Sequence, residues 1–419
     1  MMGEASAREQ FPESELLLQR GARSDAWLAT HDQILEQDRF IDGAYPIFAS
    51  HGSGAYFWDV DGNRYIDFIL GYGPVVLGHA DPRITDAVVH ELKNGTCISP
   101  MWRPIQVELT ELLTSVIPGA EMAFLLKTGS DATSAAVRLA RIYTGRSKIV
   151  RWGYNGWHDW SAPRSTGIPA SVRNDVLTFD YNDIDSVRSI FESNAGEIAC
   201  LIMMPFEVEP PNPGFLQEVR SITHQHGALF ILDEMRSGFR MALGGAQQYF
   251  GVSADLATYS KAMANGYAIS ALVGRADILS GLGRTHMAST YYGNSAEMAA
   301  AIATISILRD SDALERIWTV GEAFQRGLNA LVQEFQLPVE VVGYPPSPFL
   351  RFTASDLAKR QAAKEAFYRE TTRQGILLHP NHHWFTCASH TDEDIYRSLE
   401  ACRRGFEAAS HQVKRLSVG

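Results

Sequence analysis

The sequence is poor in cysteine and has no cysteine pattern typical of a metal site. Among 419 residues there are four cysteines: Cys97, Cys200, Cys387 and Cys402. They lie far apart, without a C-x-x-C pair or a histidine at zinc-site spacing, which is typical of reduced thiols in a cytosolic protein. The stretch from His379 to His383 is rich in histidine but has no cysteine or carboxylate partner. We therefore expect an exposed loop there, and no metal site in the chain.

The sequence also lacks a long apolar run and an excess of positive charge. Its first 20 residues, MMGEASAREQFPESELLLQR, contain no apolar run suited to a signal peptide or a membrane anchor. The formal net charge is −11, from 48 acidic and 37 basic residues. An acidic balance disfavours nucleic acid and anionic membranes as partners. We therefore expect a cytoplasmic protein with neither kind of partner.

Short apolar runs alternate with helical stretches from about residue 80. The strand candidates are MAFLLK (122–127), KIVRW (148–152), ACLIMM (199–204), GALFILD (227–233) and DLATYSK (255–261). Continuous apolar runs are typical of a parallel sheet that is covered on both faces. No strand candidate is followed by the G-x-G-x-x-G turn of a dinucleotide-binding unit, which disfavours an NAD-dependent oxidoreductase.

This alternation predicts an α/β fold with a mostly parallel central sheet. We expect a large domain over residues 76–310 and a small α+β lobe from both termini, built from residues 1–75 and 311–419. The first 40 residues of the smaller part have the pattern of a charged helical arm.

Residues that follow the predicted strands are candidates for a ligand site, because such sheets bind ligands outside the carboxyl ends of their strands. Gly129 and Ser130 follow MAFLLK at a helix start, which suits a phosphate; an ordinary helix cap is the alternative. Tyr154 lies in a G-Y-N-G turn after KIVRW, where its ring could stack on a flat ligand or belong to the core. Thr290 lies in the turn STYYGN, another turn suited to phosphate.

Two ionisable residues end the next candidate strands. Asp233 ends GALFILD, where a carboxylate needs a cation such as a protonated pyridinium nitrogen. A helix cap or an ion pair with Arg236 or Arg240 is the alternative. Lys261 ends DLATYSK and is a candidate for a nucleophilic amine; a surface lysine is the alternative. One helix-containing crossover separates Asp233 from Lys261, so both can reach one cleft.

Five motifs, in this order, resemble the class III (ω-type) pyridoxal-5'-phosphate (PLP) aminotransferases, especially the glutamate-1-semialdehyde aminomutase-like branch. TGSDAT resembles the family's S-G-T-E-A-T, YNG its Y-H-G, DEMRSGFR its D-E-V-x-x-G-F-R, SKAMANG its lysine motif and STYYGN its G-T-x-x-G-N. The resemblance extends from roughly residue 45 to residue 400. It implies a fold type I PLP enzyme that transfers an amino group from an amine or amino-acid donor to a small aldehyde or ketone.

The resemblance also implies roles for individual residues. Lys261 would carry PLP as a Schiff base and shuttle the proton, and Asp233 would hold the pyridinium nitrogen. The other cofactor-binding residues would be Gly129 and Ser130 at the phosphate, Tyr154 and Met235 on the two ring faces, and Thr290 from the partner subunit. A homodimer with shared active sites follows from this last role.

The sequence departs from the family pattern at several positions. Asn155 stands where the family has histidine, Met204 where many members have glutamate, and Met235 where it has valine. The segment HPNHHWFTCASH contains no arginine for an α-carboxylate, unlike the ornithine and GABA branches. The missing arginine and the acidic charge are compatible with an amino-sugar aldehyde, as in aminoglycoside-modifying relatives.

Two other functions remain compatible with the same cofactor. An aminomutase, epimerase or elimination enzyme would use the same Lys261 and Asp233. A binding protein that retains the cofactor but has lost activity is disfavoured, because such a protein has no need of both residues.

Overall fold

The computed structural model describes residues 11–30, 40–41 and 43–418. The strands are β1 (Ala49–Ser53), β2 (Tyr56–Asp59), β3 (Arg64–Asp67), β4 (Met122–Leu126), β5 (Lys148–Trp152), β6 (Val176–Thr178), β7 (Ile198–Met203), β8 (Leu229–Asp233), β9 (Leu256–Tyr259), β10 (Ser270–Gly274), β11 (Val339–Tyr344), β12 (Ser347–Phe352) and β13 (Ile376–Leu377).

The helices of the first half are α1 (Pro12–Gly21), α2 (Ala26–Ala29), α3 (Pro82–Leu92), α4 (Pro104–Val116), α5 (Gly129–Thr144), α6 (Ala170–Arg173), α7 (Ile184–Ser193) and α8 (Phe215–Gln225). Those of the second half are α9 (Ala246–Phe250), α10 (Ala276–Leu279), α11 (Ser295–Asp310), α12 (Ala313–Phe335), α13 (Leu357–Arg373) and α14 (Asp392–Val418), with 3₁₀ helices at Lys261–Ala264 and Ser280–Arg284. None of the helices in the described ranges is long and apolar enough to cross a membrane. The predicted N-terminal arm contains α1 and α2, and its residues 1–10 and 31–39 lie outside the described residues.

The chain divides into two compact units. One unit is Pro82–Leu314, and the other combines Met1–Asp81 with Glu315–Gly419. The first contains a seven-stranded sheet of order β4-β10-β9-β8-β7-β5-β6. The second contains a four-stranded sheet of order β1-β2-β3-β13 and the separate hairpin β11-β12.

The seven-stranded sheet is mostly parallel, as the apolar runs predict. All five predicted strands are present, with ends that differ by at most two residues, as at Tyr259, where β9 ends two residues before Lys261. Strand β10 was not predicted and pairs antiparallel with both β4 and β9. Since β4 and β9 are each antiparallel to β10, they run in the same direction. The carboxyl ends of β4, β5, β8 and β9 therefore meet at one edge of the sheet.

The sheet is covered on both faces because its side chains alternate between two cores. Ile149 and Ile231 pack in the core that contains α5. Their neighbours Val150 and Leu232 pack in the opposite core, with α7 and α8. This burial on both faces explains why the strands are apolar without a break. Asp233 follows Leu232 at the end of β8, so its side chain lies on the α5 side of the sheet.

The second unit has an aromatic core. Phe324 of α12, Phe367 of α13 and Phe406 of α14 are fully buried together with Trp384. These side chains cover the four-stranded sheet through Phe68.

The structure contradicts the expected exposure of the histidine-rich segment in this second unit. His379 and His383 are only 3% and 4% exposed. Trp384 Nε1 donates to the carbonyl oxygen of His379 at 2.8 Å, and the ring of Phe40 packs against the His379 ring at 4.4 Å. Burial lowers the pKa of His379 to about 3, so this imidazole stays neutral. The polar composition of the segment does not show that its backbone is hydrogen-bonded to a buried tryptophan.

Candidate active site

Lys261 lies two residues after the end of β9, in a backbone conformation that is unusual for lysine. Its φ is +45°, in the left-handed region, where a side chain other than glycine is strained. Burial of the ammonium, together with the nearby Arg236, lowers the pKa of Lys261 to about 8, and Asp233 opposes this effect. About a tenth of the amine is therefore unprotonated at pH 7, far more than for an ordinary lysine, and the unprotonated form is the nucleophile.

Asp233 ends β8, the strand next to β9, and is 1% exposed. Its Oδ2 accepts a hydrogen bond from Asn155 Nδ2 at 2.9 Å, and its Oδ1 accepts one from the Met235 N–H at 3.1 Å. Burial raises the pKa of this carboxyl, while these hydrogen bonds and the nearby Lys261 oppose the increase. The structure thus places a carboxylate and an amine at the ends of adjacent strands.

The neighbouring carboxylate, Glu234, has a structural role. It accepts hydrogen bonds from the N–H groups of Ala246 and Gln247 at 2.9 and 2.7 Å, and also one from the Ser237 hydroxyl. Burial raises the pKa of Glu234 to about 7. These bonds fix the loop that leads to α9, so Asp233 is the carboxylate of the pair that is available to a ligand.

The turn at the start of α5 has the geometry of an anion site. Thr128 and Asp131 form a capping box, in which each side chain accepts a hydrogen bond from the other residue's backbone. This arrangement leaves the N–H groups of Gly129 and Ser130 as first-turn donors. The ordinary helix cap, which was the alternative prediction for this turn, is therefore formed by Thr128 and not by Ser130.

Three of the predicted segments meet around this turn. Ser130 Oγ accepts a hydrogen bond from the Trp157 N–H at 3.1 Å, so its own proton can be donated to an anion. A Cβ atom on Gly156 would lie 2.5 Å from Ser130 Oγ, and one on Gly129 would lie 2.8 Å from Met235 Sδ. At Gly156, which has a φ of +108°, only glycine allows this close approach, whereas a Cβ atom on Gly129 would require the Met235 side chain to move.

Tyr154 projects from the turn after β5, and its side chain is 52% exposed. Burial and the nearby Asp233 raise the pKa of its hydroxyl. The turn rests on Met204, whose Sδ accepts the Tyr154 N–H at 3.2 Å and lies 2.7 Å from the position of a Cβ on Gly153. This packing gives Met204, a departure from the family pattern, a structural role.

Among the described residues, Thr290 forms no hydrogen bond with the other candidate site residues. It is exposed, and its carbonyl oxygen accepts a contact from Cys97 Sγ at 3.8 Å. In the described part of the chain, no hydrogen bond joins Thr290 to Ser130. Helix α11 begins at Ser295 with Asn294 at the N-cap, so Thr290 does not cap its own helix.

Two residues near Asp233 were not predicted as site residues. Asn155 was noted only as a departure, and its bond to Asp233 joins residues 78 positions apart. Arg236 was considered only as a partner of Asp233; its Nη1 lies 3.8 Å from Glu207 Oε1. Burial lowers the pKa of Arg236, and Glu207 and Asp233 oppose this. The position of Arg236 in DEMRSGFR, two residues before a glycine, does not indicate that its side chain lies near Glu207 and Asp233.

The chemistry of these groups fits PLP. Lys261 provides an amine for an aldehyde, and Asp233 provides a buried carboxylate for a pyridinium nitrogen. The first turn of α5 provides donors for a phosphate. Gly129 and Gly156 leave the space that Cβ atoms would fill.

Comparison with known proteins decides the family. The Aminotransferase class-III family model matches residues 41–389. The chain is a class III aminotransferase. The predicted family, the fold type I architecture, the enzyme class and the dependence on PLP are thereby confirmed, and the oxidoreductase alternative is excluded.

Relatives of this aminotransferase match most of its length. It is 43% identical over 375 residues to a 3-aminobutyryl-CoA aminotransferase of Cloacimonas acidaminovorans (strain Evry), covering 88% of this chain and 90% of that protein. The PLP internal aldimine form of the FumI protein of Sphingopyxis sp. MTA144 matches with a TM-score of 0.84 and 32% identity, over 90% of this chain and 95% of that one. A glutamate-1-semialdehyde aminomutase of Pseudomonas aeruginosa PAO1 has a TM-score of 0.84 at 20% identity, over 96% of each chain. At that identity the likeness shows a shared fold alone.

Proposed function

We propose that this class III aminotransferase acts on the amino group of a 3-amino acyl thioester, with Lys261 and Asp233 as its catalytic residues. The observation that carries the catalytic part is the pairing of a buried amine of lowered pKa with a buried carboxylate on adjacent strands. Bound PLP supplies an aldehyde for the amino group and an electron-accepting ring.

The proposal assigns a role to each of these candidate residues. Lys261 Nζ holds the cofactor, and after release it takes a proton from the substrate carbon and returns it. The Asp233 carboxylate keeps a proton on the ring nitrogen. Gly129 and Ser130 donate hydrogen bonds to the phosphate, and Tyr154 and Met235 pack on the two ring faces.

The substrate class is supported by two observations. The relative with 43% identity is a 3-aminobutyryl-CoA aminotransferase. In addition, HPNHHWFTCASH offers no arginine for a free α-carboxylate, and a thioester has no such charge. The predicted amino-sugar substrate rests on the missing arginine and the net charge alone, and is therefore the weaker candidate.

A single-turnover assay distinguishes these substrates. PLP-loaded enzyme is mixed with 3-aminobutyryl-CoA, free 3-aminobutyrate or an amino sugar, and the loss of the visible cofactor band is followed. We expect 3-aminobutyryl-CoA to react at least about tenfold faster than the free acid, because HPNHHWFTCASH offers no arginine for the carboxylate of the acid. A faster reaction with the amino sugar would reject the thioester. Recovery of an isomer that still carries the amino group would indicate an aminomutase.

The proposed assembly is a homodimer in which Thr290 completes the partner's phosphate site. Thr290 is exposed in the single chain, and the next residue, Tyr291, is 59% exposed. Cys97 contacts Thr290, and Met101 and Trp102, four and five residues after Cys97, are 70% and 81% exposed. Large exposed apolar side chains are typical of a protein interface. An isologous dimer would let each subunit supply this residue to the other.

A further inference from the structure

The side chain of Asn155 is buried beside Asp233 and is only half satisfied. It is 1% exposed, and its Nδ2 donates to Asp233 Oδ2 at 2.9 Å. Its Oδ1 is buried and has no hydrogen-bond partner among the described residues. Buried polar atoms are normally paired, so an unpaired carbonyl oxygen requires a physical reason.

The charge of Asp233 provides that reason. If the amide were turned by 180°, its carbonyl oxygen would face an ionised carboxylate, and two acceptors repel each other. The observed orientation is the one that an ionised Asp233 selects. The backbone of Asn155 is also held in place, because Thr133 Oγ1 donates to the backbone carbonyl oxygen of Asn155 at 2.7 Å.

Apart from the Met235 N–H, which donates to Oδ1, the other groups that act on the Asp233 carboxylate all ionise. Lys261, Arg236 and Arg151 are the cations near it. The remaining titratable neighbours are Tyr154 and Glu234. The Asn155 amide differs from these groups because it remains a donor at every pH in the working range.

We propose that Asn155 is a positioning residue that keeps Asp233 ionised and directed at the cofactor ring, independently of pH. This inference rests on the proposed role of Asp233. At this position the resembling family has an imidazole, whose charge changes near neutral pH. The amide instead holds the carboxylate without a proton equilibrium of its own.

The test needs no substrate. In PLP-loaded Asn155→Ala, the midpoint of the visible absorbance change with pH should rise by about one unit. Without the Asn155 hydrogen bond, Asp233 holds the proton on the ring nitrogen less firmly. A ring with less positive charge opposes a further proton on the cofactor less strongly, so the midpoint moves to higher pH. Equilibrium dialysis should show that the PLP dissociation constant rises about tenfold, the factor of one hydrogen bond to a buried charge. Asn155→His restores an N–H donor and should reverse most of both changes.

Met204→Leu is the matched control, because Met204 packs under the same turn without bonding to Asp233. Its absorbance midpoint should stay that of the unmodified enzyme. The proposal is overturned if Asn155→Ala shifts neither quantity, or if Met204→Leu shifts both as much. Asp233→Asn distinguishes a failure of the inference about Asn155 from a failure of the proposed role of Asp233. If Asp233→Asn leaves the absorbance midpoint unchanged, the proposed role of Asp233 is wrong, whatever the result for Asn155→Ala.

Discussion

At the scale of single residues, the site depends on two buried groups of opposite charge. Removing a lysine ammonium and a carboxylate from water costs free energy, and each group offsets part of the cost of the other. The pKa shifts show the balance: burial is the largest cause for both Lys261 and Asp233, and it acts against the charged form of each. A lone surface lysine or a simple helix cap would show neither shift.

Asp233→Asn should slow proton abstraction much more than it weakens cofactor binding. The amide keeps the shape of the side chain but no longer keeps a proton on the ring nitrogen, a contribution of about 3 kcal/mol, or a factor of roughly a hundred, in a dry site. Single-turnover rates and PLP dissociation constants, measured on the same preparations, test this. A near-normal rate would make Asp233 a structural residue only.

Lys261→Met should abolish turnover and stabilise the cofactor-free protein at neutral pH. Because the folded-state pKa of about 8 is below the usual 10.5, protonation favours the unfolded chain by about 3 kcal/mol. This penalty is complete below pH 8 and is lost as the pH rises to 10.5. Urea unfolding at pH 7 and at pH 10 should therefore show a smaller advantage of the variant at the higher pH. An advantage independent of pH would mean that the amine is not buried as the structure indicates.

The sequence could reveal these two residues but not their neighbour. Asp233 and Lys261 are ionisable residues at the ends of predicted strands, and this is a local signal. The contact of Asn155 with Asp233 depends on the order of the strands, in which β7 lies between β5 and β8. No local sequence pattern predicts the order of the strands in the sheet. The same limit applies to Met204, whose role depends on a turn 50 positions away.

At the scale of elements, the proposed phosphate site is a close contact between two turns. The turn after β5 reaches the first turn of α5 because Gly156 has a φ of +108° and no side chain. Helix α5 is held in place by its capping box and by the left-handed Gly145 at its other end. Both ends of the helix thus depend on glycine: Gly156 leaves room for Ser130 at the first turn, and Gly145 adopts the left-handed conformation at the C-cap.

Gly156→Ala and Gly145→Ala separate these reasons. Both variants place alanine at a positive φ, which costs about 1 kcal/mol of unfolding free energy. Only at Gly156 does the new methyl group displace Ser130, so PLP should bind about tenfold more weakly to that variant alone. Dialysis and urea unfolding on both proteins make the comparison. Equal PLP affinities would show that Ser130 does not bind the phosphate.

The strands themselves were predictable wherever an apolar run was long enough to be buried on both faces. Strand β10 was missed because its five residues, Ser270–Gly274, form a short run that could equally belong to a loop. Its antiparallel direction is also invisible to hydrophobicity. The burial of His379 was missed because it depends on Trp384, a contact within a segment without regular periodicity.

At the scale of the whole molecule, the proposed site needs a second chain. Thr290 is exposed and does not cap α11, so its role within one subunit is unassigned. The family resemblance suggested the partner subunit, and the exposed side chains of Tyr291, Met101 and Trp102 support an interface.

Mixing Lys261→Ala and Thr290→Ala chains tests this assembly. If sites are shared, each heterodimer has one site with both native residues, so about a quarter of all sites should regain full activity after subunit exchange. Native mass spectrometry confirms the exchange. Activity equal to the average of the two parents, with exchange complete, would contradict sharing.

The central claim is that Lys261 carries PLP, and one measurement tests it most directly. Borohydride reduction fixes bound PLP permanently to the amine that holds it, and peptide mapping then identifies the residue. The account predicts a pyridoxyl group on Lys261 in stoichiometric amount, and none on the Lys261→Ala protein. A label on another lysine, such as Lys127 at the end of β4, would contradict it.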